Sequence, residues 1–272
     1  MRKIIHISDI HFGKIDQKST RSLLTAFSVI SPNLIIISGD LTQRAKPEQF
    51  KEAQKFIKDL KKLGFPSFVI PGNHDIEPLY KPVARALNPY LNYKKYISKN
   101  LEPIYSDDKL AIAGINTSRS TNLKNGGVNT SQIKKLEKWF ATFSPKMTKI
   151  IVSHHPLDLP IHIPRYKLAR KASGGMELLA TYNIDLYLSG HYHRSSVVAT
   201  SERYKTLGYS GISLQAGTVS RRQRGEVQSF NVITINKPRL LIETFLWKSE
   251  ENLFRKSTEN NFQLKDNAWK KV

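Results

Sequence analysis

The sequence predicts an α/β domain, on three observations. Short apolar runs of strand length alternate with amphipathic stretches of helical period over residues 3–189. The run at 34–38 is apolar up to its closing Ser38, as expected of a strand covered on both faces. The runs end in short loops rich in Gly, Asp, Asn and His, residue types suited to tight turns and polar sites. The chain has 272 residues, 39% of them apolar, enough for one large core or two small ones. No repeat, low-complexity tract or long linker divides it. We read residues 1–247 as one domain and 248–272 as a polar C-terminal tail, free or packed on that domain.

Taken in order, residues 3–8 form the first strand, followed by the loop Asp9-Ile10-His11-Phe12-Gly13. Residues 18–30 are helical and end at Ser31-Pro32. The strand at 34–38 leads into Gly39-Asp40. A helix over 47–63 has Pro near its first turn and Gly64 past its end. Its period places Phe50, Ala53, Ile57 and Leu60 on one side and most of its lysines on the other. A strand over 65–71 delivers the turn Gly72-Asn73-His74-Asp75.

Residues 77–100, with four tyrosines among prolines and lysines, read as irregular helices beside the site. A strand at 109–115 ends in Asn116-Thr117-Ser118-Arg119, and a helix over 130–140 takes Thr130 as its cap. The strand at 149–153 delivers His154-His155-Pro156. Residues 157–173 are a flap or rim, 174–182 a short helix, and the strand at 184–189 ends in Gly190-His191-Tyr192-His193. Strands at 196–200, 203–207, 211–215, 227–235 and 239–246 then suggest a second, largely antiparallel sheet packed on the first, with a basic loop containing Arg221, Arg222 and Arg224.

Composition narrows the chemistry. There is no cysteine, which excludes disulfides, thiolate nucleophiles and Cys-based zinc sites. A metal would need His, Asp, Glu or Asn ligands, which favour hard or borderline ions. Lys and Arg number 43 against 22 acids, a formal charge of +21. Such a field favours anions: a phosphate-containing small molecule, nucleic acid or anionic lipid. No apolar run approaches the roughly 18–20 residues that span a bilayer. Met1-Arg2-Lys3 leads straight into a strand, so the expectation is a cytoplasmic protein without a signal peptide, with peripheral contact to an anionic membrane left open. The sequence does not specify an oligomeric state.

Six of the eight histidines fall in four loops that follow strands: His11, His74, His154, His155, His191 and His193. Asp9, Asp40 and Asn73 lie in loops of the same kind. In an open α/β sheet such loops gather over one edge, and their residue types suit two metal ions. Paired ions in hydrolases stand about 3.5–4 Å apart, polarise phosphate oxygens and generate hydroxide near neutral pH.

The ordered set Asp9-x-His11, Gly39-Asp40, Gly72-Asn73-His74-Asp75, His154-His155-Pro156 and Gly190-His191-x-His193 resembles the calcineurin-like metallophosphoesterase superfamily. The resemblance implies an α/β fold of the four-layer α/β/β/α type, two mixed sheets flanked by helices. It implies two divalent metal ions, Mn, Fe or Zn. Asp9, His11 and His193 would bind one and Asn73, His154 and His191 the other, with Asp40 bridging. His74 would be catalytic, stabilising the transition state or protonating the leaving oxygen, and Asp75 would orient it. His155 receives no metal role by this match. His6 reads as structural, and His162 as a surface residue within the 157–173 segment.

The Gly-Asn-His-Asp form, the Asn116–Arg119 segment and the run from Gln215 through Arg224-Gly225-Glu226 to Ser229-Phe230-Asn231 look like the bacterial cyclic-nucleotide-phosphodiesterase-like branch. That resemblance implies phosphodiester hydrolysis by a metal-bridging hydroxide, on a small nucleotide such as a 3',5'-cyclic nucleotide. Arg119, Arg221, Arg222 and Arg224 are the candidate substrate-binding cations. Three alternatives accompany this reading. One is a pyrophosphatase on a nucleotide-linked lipid of the UDP-diacylglucosamine type, weakened because one such group has Arg where this chain has His74. Another is a nuclease, suggested by charge but lacking any nucleic-acid module. The last is a non-enzymatic metal-binding scaffold, which would be expected to lack a ligand or the catalytic His.

Overall fold

The computed structural model describes all residues except 16, 122, 123, 206, 207 and 223. The first half is built from β-α-β units. β1 (Arg2–Ile7), α1 (Gln17–Ile30), β2 (Leu34–Ile37), α2 (Pro47–Lys62) and β3 (Ser67–Val69) place three parallel strands side by side. Two short helices follow, α3 (Pro82–Leu87) and α4 (Leu91–Tyr96).

A second sheet starts with β4 (Ile104–Ser106), antiparallel to β5 (Leu110–Ile115). α5 (Thr130–Phe140) and α6 (Ala172–Ala180) cross over to β6 (Thr148–Ser153) and β7 (Leu186–Ser189), both parallel to β5. β8 (Ser196–Ala199) and β9 (Ile212–Gln215) complete this six-stranded sheet, in the order β4-β5-β6-β7-β9-β8. The chain then returns to the first sheet. β10 (Ser229–Asn236) pairs antiparallel with β1, and β11 (Arg239–Lys248), β12 (Leu253–Lys265) and β13 (Ala268–Lys271) extend it to seven strands, in the order β13-β12-β11-β10-β1-β2-β3.

The period of two along each strand sorts side chains into three cores and so produces four layers. Ile5, Ile7, Ile35 and Ile37 pack with Leu23 and Phe27 of α1 and Phe50 and Leu60 of α2 on the outer face of the first sheet. Their neighbours Ile4, Leu34 and Ile36 face inward, against Ile112, Ile150, Val152, Leu186 and Leu188 of the second sheet. Ala111, Ala113, Ile151 and Tyr187 face outward again, under Ile133 and Phe140 of α5 and Met176 and Leu179 of α6. The architecture is therefore α/β/β/α with two mixed sheets, as the resemblance implies.

Several local expectations change. The late strands do not make a sheet of their own. β8 and β9 join the sheet of β5–β7, and β10–β13 join the sheet of β1–β3. Strand period does not specify which edge a strand joins. Of the strand expected at 203–207, Arg203 lies in a turn after a 3-10 turn at Thr200–Glu202, while 206 and 207 fall outside the described residues. The cap of α5 is Asn129 rather than Thr130. Its side chain accepts the Gln132 N–H at 2.8 Å, and the Gln132 side chain accepts the Asn129 N–H at 2.9 Å.

Residues 253–271 form β12 and β13 and bury Phe254, Phe262 and Trp269. Trp269 donates its indole N–H to Asp185 at 2.9 Å. Asp185, fully buried just before β7, also accepts the Tyr209 hydroxyl at 2.5 Å and the Lys237 ammonium at 3.0 Å. The C-terminal strand is thus fastened to both sheets. Trp269→Ala removes a large buried ring and one of these donors. Urea unfolding should register a loss of about 3–5 kcal/mol, and a change below about 1 kcal/mol would mean that this hairpin contributes little to the fold.

Candidate metal centre and active site

β1, β2 and β3 of one sheet and β6 and β7 of the other end at the same edge of the sandwich, where their loops interlock. The Asp9 N–H donates to Gly39 O at 3.1 Å, the His11 N–H to Asp40 O at 3.0 Å, and the Gly190 N–H to His154 O at 3.1 Å. The turns are forced. Asp9, His11, Asp40, His191 and His193 all have left-handed backbone, with φ between 50° and 76°. Non-glycine residues rarely adopt it, and such strain persists only where surrounding contacts over-determine it. Two glycines permit the close approach. Gly39 has φ of 97°, and a Cβ there would stand 2.8 Å from His154 Nδ1. A Cβ on Gly72 would stand 2.1 Å from Asp40 Oδ1.

The result is one buried cluster. His193 Nε2 lies 3.2 Å from Asp9 Oδ1 and 3.1 Å from His11 Nε2. His11 Nε2 lies 3.7 Å from both Asp9 Oδ1 and Asp40 Oδ2. On the other side, Asn73 Oδ1 is 3.1 Å from both His154 Nε2 and His191 Nδ1, and His154 Nε2 is 3.4 Å from Asp40 Oδ1. The two Asp40 oxygens thus face two different donor groups.

The rings are held from behind by carbonyls, which sets their tautomers. The Nδ1–H of His11 donates to Thr42 O, that of His154 to Ser38 O and that of His193 to Arg222 O. Their Nε2 lone pairs therefore converge inward.

These groups fit divalent cations. An ion with N and O ligands at about 2.0–2.2 Å holds neighbouring donors roughly 3–3.5 Å apart, close to the spacings here. Asp9 Oδ1 is buried and has no hydrogen-bond partner. Its close contacts are the ring nitrogens His193 Nε2 at 3.2 Å and His11 Nε2 at 3.7 Å. Donor atoms of Asp9, His11 and His193, and those of Asp9, Asp40 and His154, each lie within 4.8 Å of one another.

Electrostatics agree with this geometry at His11 and His191, whereas His154 beside the Asp40 carboxylate is driven to its charged form and must lose a proton before its Nε2 can hold a cation. Burial drives His11 and His191 down to about 3, which leaves both neutral and able to donate a lone pair. Burial also opposes charge on His154, but the Asp40 carboxylate overrides it and raises that ring to about 9. Asp40 itself, although burial pushes it up, is held well below the usual carboxylate range by His154 and His74.

The other sequence candidates divide. His74 lines the cleft beside Asp40 and Asn73, as do Arg222 and Arg224. The His74 Nδ1–H donates to Gln43 O at 2.8 Å, and its Nε2 accepts from Arg222 Nη1 at 2.7 Å. Asp75 is not the group that holds this ring. Its carboxylate accepts the backbone N–H groups of Leu41, Thr42 and Gly72 and the Thr42 hydroxyl, and so clamps two ligand loops together. Burial and Asp40 push the Asp75 carboxyl up to about 7 against those donors. All four groups donate, so the bonding favours the ionised form.

Arg119 is not a cleft residue. It donates to Asn116 O, Ser118 O and Gln132 Oε1, bracing the end of β5 against α5. Arg221 is exposed and lies outside the cleft lining, its N–H donating to Lys14 O. His155 is buried, with Nδ1 2.9 Å from Thr117 Oγ1 and its ring 4.4 Å from that of His191. His6 is buried with Nε2 on Ser38 Oγ, and His162 lines a neighbouring pocket. Sequence reasoning missed Gln43, Arg85 and Lys167 as cleft residues. A carbonyl acceptor leaves no mark in composition, and the other two sit in segments without period.

A sequence model of the calcineurin-like phosphoesterase family matches residues 2–195. The chain belongs to that family, and with it to the metal-dependent phosphoric ester hydrolases. A probable glycerophosphodiester phosphodiesterase of Arcobacter nitrofigilis is 27% identical over 206 residues, 71% of this chain and 72% of the relative. A probable cyclic nucleotide phosphodiesterase of Fibrobacter succinogenes is 26% identical over 212 residues, 74% of this chain and 76% of the relative. The fold is also that of a dimetal phosphatase from Danio rerio, at a TM-score of 0.68 and 11% identity, covering 97% of this chain and 99% of the other.

Asp75→Ala strands three buried N–H groups at about 1–3 kcal/mol each, so denaturant unfolding should show a loss of roughly 3 kcal/mol or more. A variant of near-native stability whose only defect is slow turnover would instead assign Asp75 to His74.

Proposed function

We propose that this protein is a phosphodiesterase with two divalent cations, acting on a small nucleotide diester such as a 3',5'-cyclic nucleotide. The observation that carries the reading is the Asp40 carboxylate, whose two oxygens face separate donor groups at the floor of a cleft of about 630 Å³. Asp9, His11 and His193 would hold one ion and Asn73, His154 and His191 the other, with Asp40 shared. Bound there, the cations would supply Lewis-acid polarisation of the phosphate and lower the pKa of water.

The remaining work falls to the chain's own groups. Gln43 O fixes the His74 ring with Nε2 toward the cleft; once Nε2 has taken up a proton and turned from Arg222 to the substrate, the imidazolium can protonate a departing alkoxide or offset charge on the phosphoryl oxygens. Arg222, Arg224 and Lys167 line the same cleft and supply positive charge to a phosphate diester. The Fibrobacter relative's name supports a cyclic nucleotide, and the Arcobacter relative's name supports a glycerophosphodiester as the second reading.

The deciding assay is turnover of bis-p-nitrophenyl phosphate after chelator treatment, with Mn²⁺ added back, beside cyclic AMP, cyclic GMP and a glycerophosphodiester. Mn²⁺ should restore cleavage, and His74→Ala should lower kcat by about 10²–10⁴-fold with metal content unchanged. Full turnover by His74→Ala would remove that residue from the mechanism.

Asp40→Ala tests the shared carboxylate separately. Elemental analysis of the Mn²⁺-loaded variant should find both positions depleted, and two ions per chain would show that Asp40 does not bridge.

A further inference from the structure

Three segments build the mouth of the cleft. Leu79 and Arg85 line it from the α3 segment, Lys124 from the loop after β5, and Lys167 from the segment after β6. The three are stitched together. The buried Arg85 donates its Nε–H to Ser120 O at 2.9 Å and a second N–H to Glu77 O, which fixes α3 to the loop after β5. Asn125 Nδ2 donates to Tyr166 O at 2.6 Å, which fixes that loop to the segment after β6.

Two properties coincide on this rim. The first is exposed apolar surface. Arg85 turns inward, whereas Val83 and Leu87, one helical turn apart, are 69% and 82% exposed. Leu79, Tyr80, Ile161 and Tyr166 are also exposed. Neighbouring apolar side chains left in water mark an interaction surface. The second property is charge of one sign. Residues 78–101, 119–131 and 159–176 contain eleven Lys and Arg and no Asp or Glu. Arg85 and Arg119 are used internally, but Lys81, Lys94, Lys95, Arg165, Arg170 and Lys171 are exposed.

We propose that this rim docks the mouth of the cleft on an anionic lipid bilayer. Aliphatic tips such as Val83 and Leu87 enter below the headgroups, Tyr80 and Tyr166 sit at their level, and the cations meet lipid phosphates. A second copy of the chain is a poorer occupant, because two faces without acids repel. Nucleic acid would meet the cations and leave Val83, Leu87 and Ile161 wet. Docked on lipid, the cleft opens onto the headgroup layer whichever diester it cleaves.

The chain has no cysteine, so one introduced thiol carries an environment-sensitive dye at one place. Nitrobenzoxadiazole on Leu87→Cys and on Ile161→Cys should brighten and shift to the blue with vesicles of phosphatidylcholine and phosphatidylglycerol, and not with phosphatidylcholine alone. The same dye on Val29→Cys, exposed on α1 outside the rim, should not respond. A dye silent at both rim positions overturns the proposal.

Vesicle sedimentation separates docking from general attraction. Val83→Asp with Leu87→Asp should weaken binding to the anionic vesicles by about tenfold or more. Val29→Asp with Leu63→Asp makes the same change of charge at exposed apolar residues outside the rim, and should weaken it by about twofold at most. An equal loss in the two pairs means that the +21 surface adsorbs without a docking face, and overturns the proposal. Two other results would also overturn it. A wild-type dimer that Val83→Asp with Leu87→Asp converts to monomer, without vesicle binding, assigns the rim to a second copy. Tight, salt-sensitive binding of single-stranded DNA without vesicle binding assigns it to nucleic acid.

Discussion

Two carboxylates buried side by side are the constraint on which the rest of this structure depends. Asp9 and Asp40 are 0% and 1% exposed. Among the described residues, no Lys or Arg lies within ion-pair distance of either, and their close charged contacts are histidines. Burying an uncompensated ion costs on the order of several kcal/mol. The cluster draws what positive charge it can from its own groups, which is why Asp40 raises His154 to about 9 while burial leaves His11 and His191 neutral. Backbone donors supply more: the His74 N–H to Asp40 and the His191 N–H to Asp9. A cation between the donor groups would satisfy the same demand directly, so the features that make burial of these carboxylates costly also favour metal.

The cluster straddles two sheets. Asp9, His11, Asp40 and Asn73 come from the sheet of β1–β3, and His154, His191 and His193 from the sheet of β5–β7. Each donor group draws on both sheets, so the spacing within each is set by the shared core, where Ile4 and Ile36 meet Ile150 and Leu188. Close-packed interiors transmit volume changes, so a methylene gained or lost in that layer is felt at the ligands. The left-handed turns serve the same end. An extended continuation would carry Asp9, Asp40 or His191 past the edge, and reversing the backbone at once keeps the donor next to its strand. The Asp75 clamp ties one of these turns, at Asp40, to the Gly72–Asp75 turn.

Most of this was legible in the residues, for identifiable reasons. A continuous apolar run of strand length is a strong signal where both faces are covered, so the strands of the central layers were placed within a residue or two. Donors at strand ends are legible because the chemistry needs particular atoms there. Sheet membership was not, since the sequence of β10 is compatible with either edge. The polar strand β12 hid because its pairing bonds are backbone bonds and only Phe254 and Phe262 mark its buried side. Arg119 and Asp75 misled for a related reason. A charged side chain next to a functional motif resembles chemistry, yet backbone carbonyls and N–H groups can satisfy it equally well.

Charge shows the same gap between composition and place. The formal +21 is a property of the whole surface, and much of it lies on exposed lysines such as Lys51, Lys55, Lys61 and Lys62 of α2. At physiological ionic strength the screening length is about 8 Å, so such lysines act on an approaching anion rather than on one already seated. Arg222, Arg224 and Lys167 differ because they line the cleft itself, where low-dielectric walls weaken screening. Arg222 also donates to His74 Nε2, so one cation is placed to act on both the anion and the ring beside it. It is the position of these few cations, rather than the total, that bears on which phosphate the protein takes.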